Sequence, residues 1–152
     1  MMQKKTNQFC PECKAPWEDG KTCQEAFHQM LFWEYENPAF DVHHLMVLCY
    51  YLQHPSLYSP EGLETAKHLL ADFVERGFSP DEVRKQNRDR VDSSQRTWKI
   101  KGTTASHGAY KHPNRWGMTA KDVIAGGASH YCDNVRKWAR LVLEALQTSD
   151  NY

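Results

Sequence analysis

Apolar residues along this chain recur at spacings of three and four in several stretches, each bracketed by a start and a stop signal. Thr22 followed three residues later by Glu25 is a capping box, so a helix is expected with Cys23 at its first position. Phe27, Met30, Leu31 and Glu34 continue it, and Asn37-Pro38 ends it because a residue before proline is pushed out of the helical region. Asp41 is the expected cap of a second helix that runs to about His54 and stops at Pro55. Val42, Leu45, Met46, Cys49 and Leu52 form one apolar stripe on it, and His43, Val47, Tyr50 and His54 share the opposite side within roughly 60°. A helix apolar or aromatic nearly all round sits at the centre of its bundle.

Ser59-Pro60 starts a third helix that turns Leu63, Ala66, Leu70, Phe73 and Val74 inward and ends in a left-handed cap at Gly77 with Phe78. Ser79-Pro80-Asp81-Glu82 repeats the start signal for a short polar helix. From Asp92 to Gly117 regular patterning fails, apart from a short strand expected at Thr97 to Lys101. Thr119 then caps a short helix ended by Gly126-Gly127. A last helix from about Ser129 to Gln147 carries Tyr131, Val135, Trp138, Val142 and Leu146. Five to six helices without a series of strands predict an all-α fold, a helical bundle.

Length changes this picture little, since 152 residues suit one domain. Its expected parts are an N-terminal loop (1–21), a helical hairpin plus two helices (22–91), a His-, Gly- and aromatic-rich loop (92–118) and the C-terminal helices (119–148). No apolar run reaches the roughly 20 residues a bilayer span needs, and no signal-peptide core follows Lys4 and Lys5, so the cytoplasm is the expected location and no membrane partner is expected. Net charge is zero, yet between Arg84 and Arg115 nine Lys or Arg face only Asp89 and Asp92.

Five cysteines in such a chain suit metal binding or burial better than a disulfide framework. Cys10-Pro11-Glu12-Cys13 is a tight turn that converges two sulfurs at the spacing of adjacent vertices of a zinc tetrahedron. Cys23 lies at a helix N-terminus, where the dipole and free amides favour a thiolate. One structural zinc ion held by Cys10, Cys13 and Cys23 is therefore expected to staple a loop too short for a core of its own; a redox Cys-x-x-Cys pair is the competing reading. If the first two helices form an antiparallel hairpin across Asn37 to Phe40, the end of the second lies beside the start of the first, which makes His54 the fourth ligand. His28 is the local alternative, although it points away by about 140°. His43, or His44, at the far end of the second helix is the remaining one, roughly 20 Å off. Cys49 and Cys132, each alone on the apolar side of a helix, read as core.

The Cys-Pro-x-Cys turn, Cys23 opening a helix, and the run from Val42 through His43, Leu45, Val47, Tyr50, Gln53 and His54 to Pro55 together resemble a bacterial family of unknown function. Its members pair such a turn with a V-H-x-L-x-V-x-x-Y-x-x-Q-H-P helix. Trp116-Gly117-Met118-Thr119, the following Asp122-Val123 and the Trp138 helix resemble its C-terminal part. The resemblance implies the architecture and the candidate ligands, and no activity. Relatives often carry an acidic residue at the place of Leu48 and glycine at that of Ser56; if that acid serves a reaction in them, this chain lacks it.

Three functions follow from these residues. A closed three-cysteine, one-histidine site suits a zinc-stabilised interaction or regulatory module with a protein partner. The basic stretch Arg84, Lys85, Arg88, Arg90, Arg96, Lys99, Lys101, Lys111 and Arg115, interleaved with Trp98, Tyr110 and Trp116, suits nucleic acid or phosphate. An enzyme would draw on His43 with Tyr50, or on Tyr110, His112 and the loop around Ser106-His107-Gly108. No metalloprotease motif, nucleophile elbow or phosphate-cradling glycine loop accompanies the last.

Overall fold

The computed structural model describes residues 8–17, 21–77, 79, 81, 82, 85 and 101–152. Two short strands, β1 (Gln8–Phe9) and β2 (Pro16–Trp17), pair antiparallel with Gln8 opposite Trp17 and Phe9 opposite Pro16. Five α-helices are defined end to end among the described residues: α1 (Cys23–Glu36), α2 (His43–Gln53), α3 (Pro60–Arg76), α4 (Ala120–Ala125) and α5 (Tyr131–Thr148). The chain is thus mainly helical, with one small two-stranded sheet among the described residues.

The helices begin and end where local chemistry requires. Thr22 accepts a hydrogen bond from the Glu25 amide (3.3 Å), which satisfies one of the orphan donors at the start of α1. Ser59 does the same for Gly62 at α3 (3.0 Å), and Gly77 closes that helix in the left-handed region at φ 68°. Ser79 and Glu82 exchange reciprocal capping bonds of 3.0 and 3.2 Å. Thr119 and Asp122 form the capping box of α4. Helix α2 departs from the expected start: it begins at His43 with Val42 in the cap position and no side-chain cap, so Asp41 does not cap it. Burial of its body holds it instead. Leu45, Met46, Leu48, Cys49, Tyr50, Leu52 and Gln53 are all buried, which makes α2 the central element, packed against α3 and α5.

Helix α5 supplies the other half of the core. Tyr131, Val135, Trp138, Val142 and Leu146, its inward stripe, are fully buried. Cys49 is buried among them, and burial pushes its thiol well above the ordinary range, as expected of a packing cysteine. Cys132 is half-buried at the edge of the core rather than inside it.

Helices α1 and α2 meet through large side chains in antiparallel register. At their closed end, His43 Nδ1 lies 2.7 Å from Glu34 Oε1, while the buried Tyr131 hydroxyl of α5 donates to the other carboxylate oxygen. Glu34 thereby ties three helices together. At the open end the rings of Phe27 and Tyr50 pack at 4.6 Å.

Residues 101–118, expected as irregular, are ordered by backbone pairing with the short 3-10 turn Pro55–Leu57 that follows α2. Lys101 bridges Tyr58, the Gly102 amide donates to Leu57 O (3.0 Å), and the Gly108 amide donates to Tyr58 O (2.8 Å). Of the strand expected at Thr97 to Lys101, only Lys101 lies within the described residues. Further on, the buried Asn151 amide donates to His112 O (2.7 Å) and its oxygen accepts from the His112 amide (3.0 Å), clamping the loop to the C-terminal tail.

Two outcomes are expected. The hydrogen bond to Glu34 raises the His43 pKa, against burial, which lowers it. The pair's contribution is therefore fully present below the ordinary histidine value of about 6.5 and is lost as pH rises through the raised one. An NMR titration should show His43 with a midpoint above about 6.5 that falls back in Glu34→Gln; equal midpoints in the two proteins contradict the pairing. A Cβ on Gly102 would overlap the carbonyl oxygens of Ser56 and Tyr58 and the Cβ of His107, whereas one on Gly117 would meet the Leu141 side chain at an ordinary 3.6 Å. Gly102→Ala should lower unfolding free energy in urea by about 1–3 kcal/mol and Gly117→Ala should be near neutral.

Candidate metal centre

The N-terminal hairpin is shaped to bring two sulfurs together. Pro11 fixes its own backbone, the Cys13 amide donates to Cys10 Sγ (3.4 Å), and the Lys14 amide donates to Cys10 O (2.9 Å). Lys14 adopts φ 67°, a left-handed conformation that reverses the chain so that the Cys10 amide reaches Ala15 O (2.9 Å). For a residue with a Cβ that conformation costs about 1–2 kcal/mol, which the turn must recover elsewhere.

The other two groups come from the open end of the α1/α2 hairpin. The antiparallel register that sets Glu34 beside His43 and Phe27 beside Tyr50 also sets Cys23, first residue of α1, beside His54, the residue after α2. The ligand atoms of Cys10, Cys13, Cys23 and His54 all lie within 4.8 Å of one another, and all four residues are buried. Cys13 and Cys23 bring their sulfurs to 3.5 Å, close to the roughly 3.7 Å edge of a tetrahedron with 2.3 Å metal–sulfur bonds. The Trp17 indole N–H donates to Cys23 Sγ (3.3 Å).

His54 is held as a ligand would be. Its Nδ1–H donates to Tyr50 O (2.6 Å), the Tyr50 ring stacks on it at 4.3 Å, and its buried Nε2 has no hydrogen-bond partner. An orphaned ring nitrogen in the interior costs about 1–3 kcal/mol unless something accepts its lone pair. A backbone carbonyl on the opposite nitrogen is the usual way a metal-bound histidine has its tautomer fixed.

The electrostatics point the same way. Hydrogen bonds from Cys13 and then Cys23 hold the Cys10 thiol far below the usual range, while the same contacts, with burial, push Cys13 far above it. Burial disfavours the charged His54 ring, but Cys10, Cys23 and the Tyr50 carbonyl outweigh it and raise its pKa to about 10. A divalent cation among them would let the thiols ionise and the imidazole stay neutral, with release of protons. The cluster is compatible with one metal ion in tetrahedral coordination.

Two further residues, not singled out by spacing, lie against the centre without belonging to the cluster. Trp17 reaches it from β2. Glu12, between the two cysteines of the turn, accepts from the Ser56 amide (3.0 Å) and the Ser56 hydroxyl (2.9 Å), two residues beyond His54. No local pattern marks Glu12: its contact with Ser56 spans 44 positions and arises only once His54 stands beside Cys10 and Cys13.

The remaining candidates lie elsewhere. His28 lines a surface groove of about 620 Å³ between α1 and α4, with Lys21, Gln29, Phe32 and Lys121. His43 is engaged with Glu34 at the far end of α2, where the His44 ring stands 5.6 Å from its own. Tyr50 packs on His54, two helical turns from His43, so the two do not form an acid–base pair. In the loop, His107 Nδ1 contacts Gly108 O at 2.9 Å, and His112 is bound through its backbone to Asn151. Of the basic stretch, Arg84, Arg88, Arg90, Arg96, Trp98 and Lys99 lie outside the described residues. Lys101, Lys111 and Arg115 are exposed. Tyr110 is not free to stack on a base: its hydroxyl donates to Leu52 O (2.5 Å), Lys67 Nζ lies 5.6 Å from its ring, and Trp116 packs edge-on at 6.1 Å.

Comparison with characterised proteins and with solved structures gives no match. A family model does match, over residues 8–147, from β1 to the last turn of α5, and therefore across the cysteine turn, the α1/α2 hairpin and the C-terminal helices. The chain belongs to the family of unknown function DUF5946.

Proposed function

We propose that this protein is a zinc-stabilised helical module, a bundle of five to six helices in which one structural zinc ion, held by Cys10, Cys13, Cys23 and His54, staples residues 8–17 to the open end of the α1/α2 hairpin. Its role on this reading is interaction or regulation with a protein partner. The observation that carries it is the burial of three sulfurs and one orphaned imidazole nitrogen around a common point. Thiolate and imidazole donors in tetrahedral array select zinc over the oxygen-seeking magnesium and calcium. Four protein ligands close the shell, and closed shells support folds, whereas catalytic zinc keeps a position open.

The segment that would be stapled needs it. Phe9 is 58% exposed and the two strands are two residues each, so the turn has little apolar surface to hold it. Zinc binding of this type contributes on the order of 10 kcal/mol in small peptides, ample for a ten-residue hairpin. The five cysteines are all free, which favours a reducing compartment such as the cytoplasm. Among the described residues no helix is long and apolar enough to cross a membrane.

Metal content tests the reading. Protein purified without added metal should carry about one equivalent of zinc, retained in His28→Ala and lost in Cys13→Ser and in His54→Ala. Helicity from α3 and α5 should persist in the variants. Native protein without metal, indifferent to chelator in thermal unfolding, would contradict the proposal.

A further inference from the structure

The residues from His54 to Tyr58 have the candidate metal centre on one side and the 101–110 loop on the other. On the first side, His54 is a cluster member and both the amide and the hydroxyl of Ser56 are bound by Glu12 from within the cysteine turn. On the second, Leu57 O accepts from the Gly102 amide, Tyr58 O accepts from the Gly108 amide, and Lys101 bridges Tyr58. The two glycines sit so close that a Cβ on Gly102 would overlap Ser56 O and Tyr58 O, and one on Gly108 would lie 3.0 Å from Pro55 O. Every carbonyl from Pro55 to Tyr58 therefore touches or binds the loop.

We propose that occupancy of the Cys10–Cys13–Cys23–His54 site controls the docking of the 101–110 loop, with the His54–Tyr58 segment as transmitter. The inference rests on the zinc reading above and adds a conformational output to it. Lys101, Thr103, Thr104, Ala105, Ser106 and His107 are exposed, so this part of the loop has few apolar contacts and depends on the backbone bonds for its place, while Tyr110 anchors the far end on Leu52 O. Those bonds in turn require the carbonyls of Leu57, the last residue of a 3-10 turn, and of Tyr58 just after it to stay in register, and a lone 3-10 turn has poor intrinsic stability. Two restraints hold that turn from the metal side: His54, through its ring, and Glu12, whose carboxylate is placed only as well as the two cysteines flanking it. Ligation fixes both. Without a cation the buried sulfurs lose their common partner, the turn around Glu12 loosens, and the Ser56 clamp goes with it.

Segment-resolved hydrogen–deuterium exchange on the full chain tests this, comparing zinc-loaded protein, chelator-treated protein, Glu12→Ala and the milder Ser56→Ala. Chelation should speed exchange of the Gly102 and Gly108 amides roughly tenfold or more, while amides of α5 between Val135 and Leu143 keep their protection. Glu12→Ala should retain zinc yet show the same gain in loop exchange, with Ser56→Ala intermediate. The variants need no metal change to report, so they separate this inference from the zinc reading: a chain that never binds zinc contradicts that reading, while loop exchange unaltered in both variants overturns the coupling. Zinc-loaded protein whose loop exchange is unaffected by chelation also overturns it, as does loss of protection across α5 in step with the loop.

Discussion

Three cysteine sulfurs and an imidazole packed out of reach of water form an arrangement that is unfavourable on its own terms. Thiolates at tetrahedral-edge distances repel, and thiols there offer the His54 Nε2 lone pair only weak S–H donors. A cation among them resolves both problems, because each sulfur gains a positive neighbour and the ring nitrogen gains an acceptor for its lone pair. The raised pKa of His54 has the same origin, since the Cys10 and Cys23 sulfurs favour its charged ring in spite of burial.

The rest of the structure delivers those four groups to one point. Helix α2, buried on nearly every side, fixes where His54 stands, and α1 is aligned to it at both ends. Glu34 clasps His43 and Tyr131 at the closed end, and Phe27 packs on Tyr50 at the other. Tyr50 then serves twice, its carbonyl setting the His54 tautomer and its ring covering the imidazole face. The cysteine turn brings its own anchor in Glu12, so the loop and the end of α2 hold each other by hydrogen bonds as well as through the cluster.

Much of this was legible in the sequence because it is written in local chemistry. Thr22, Ser59, Gly77 and Thr119 mark helix ends through bonds made within a few residues, and the short link between α1 and α2 with their similar lengths favoured His54 over His28. What escaped is tertiary. Asp41 is an acceptable cap by composition, yet burial of Val42 and the body of α2 sets the start of that helix at His43. The Glu12–Ser56 clamp spans 44 positions and carries no local signature. Loop 101–118 has no periodicity because backbone bonds to the Pro55–Leu57 turn, glycine contacts and the Asn151 clamp order it, rather than an apolar stripe. Cys132 lies about 100° round α5 from the buried Tyr131, at the flank of the inward stripe, which leaves it at the rim.

The central claim is that these four side chains form one metal's complete inner shell. Zinc K-edge X-ray absorption on protein loaded with one equivalent of zinc tests it most directly. The account predicts three sulfur scatterers at about 2.3 Å and one imidazole nitrogen at about 2.0 Å, with the nitrogen shell replaced in His54→Ala. A shell dominated by oxygen, or one unchanged by loss of His54, would contradict it.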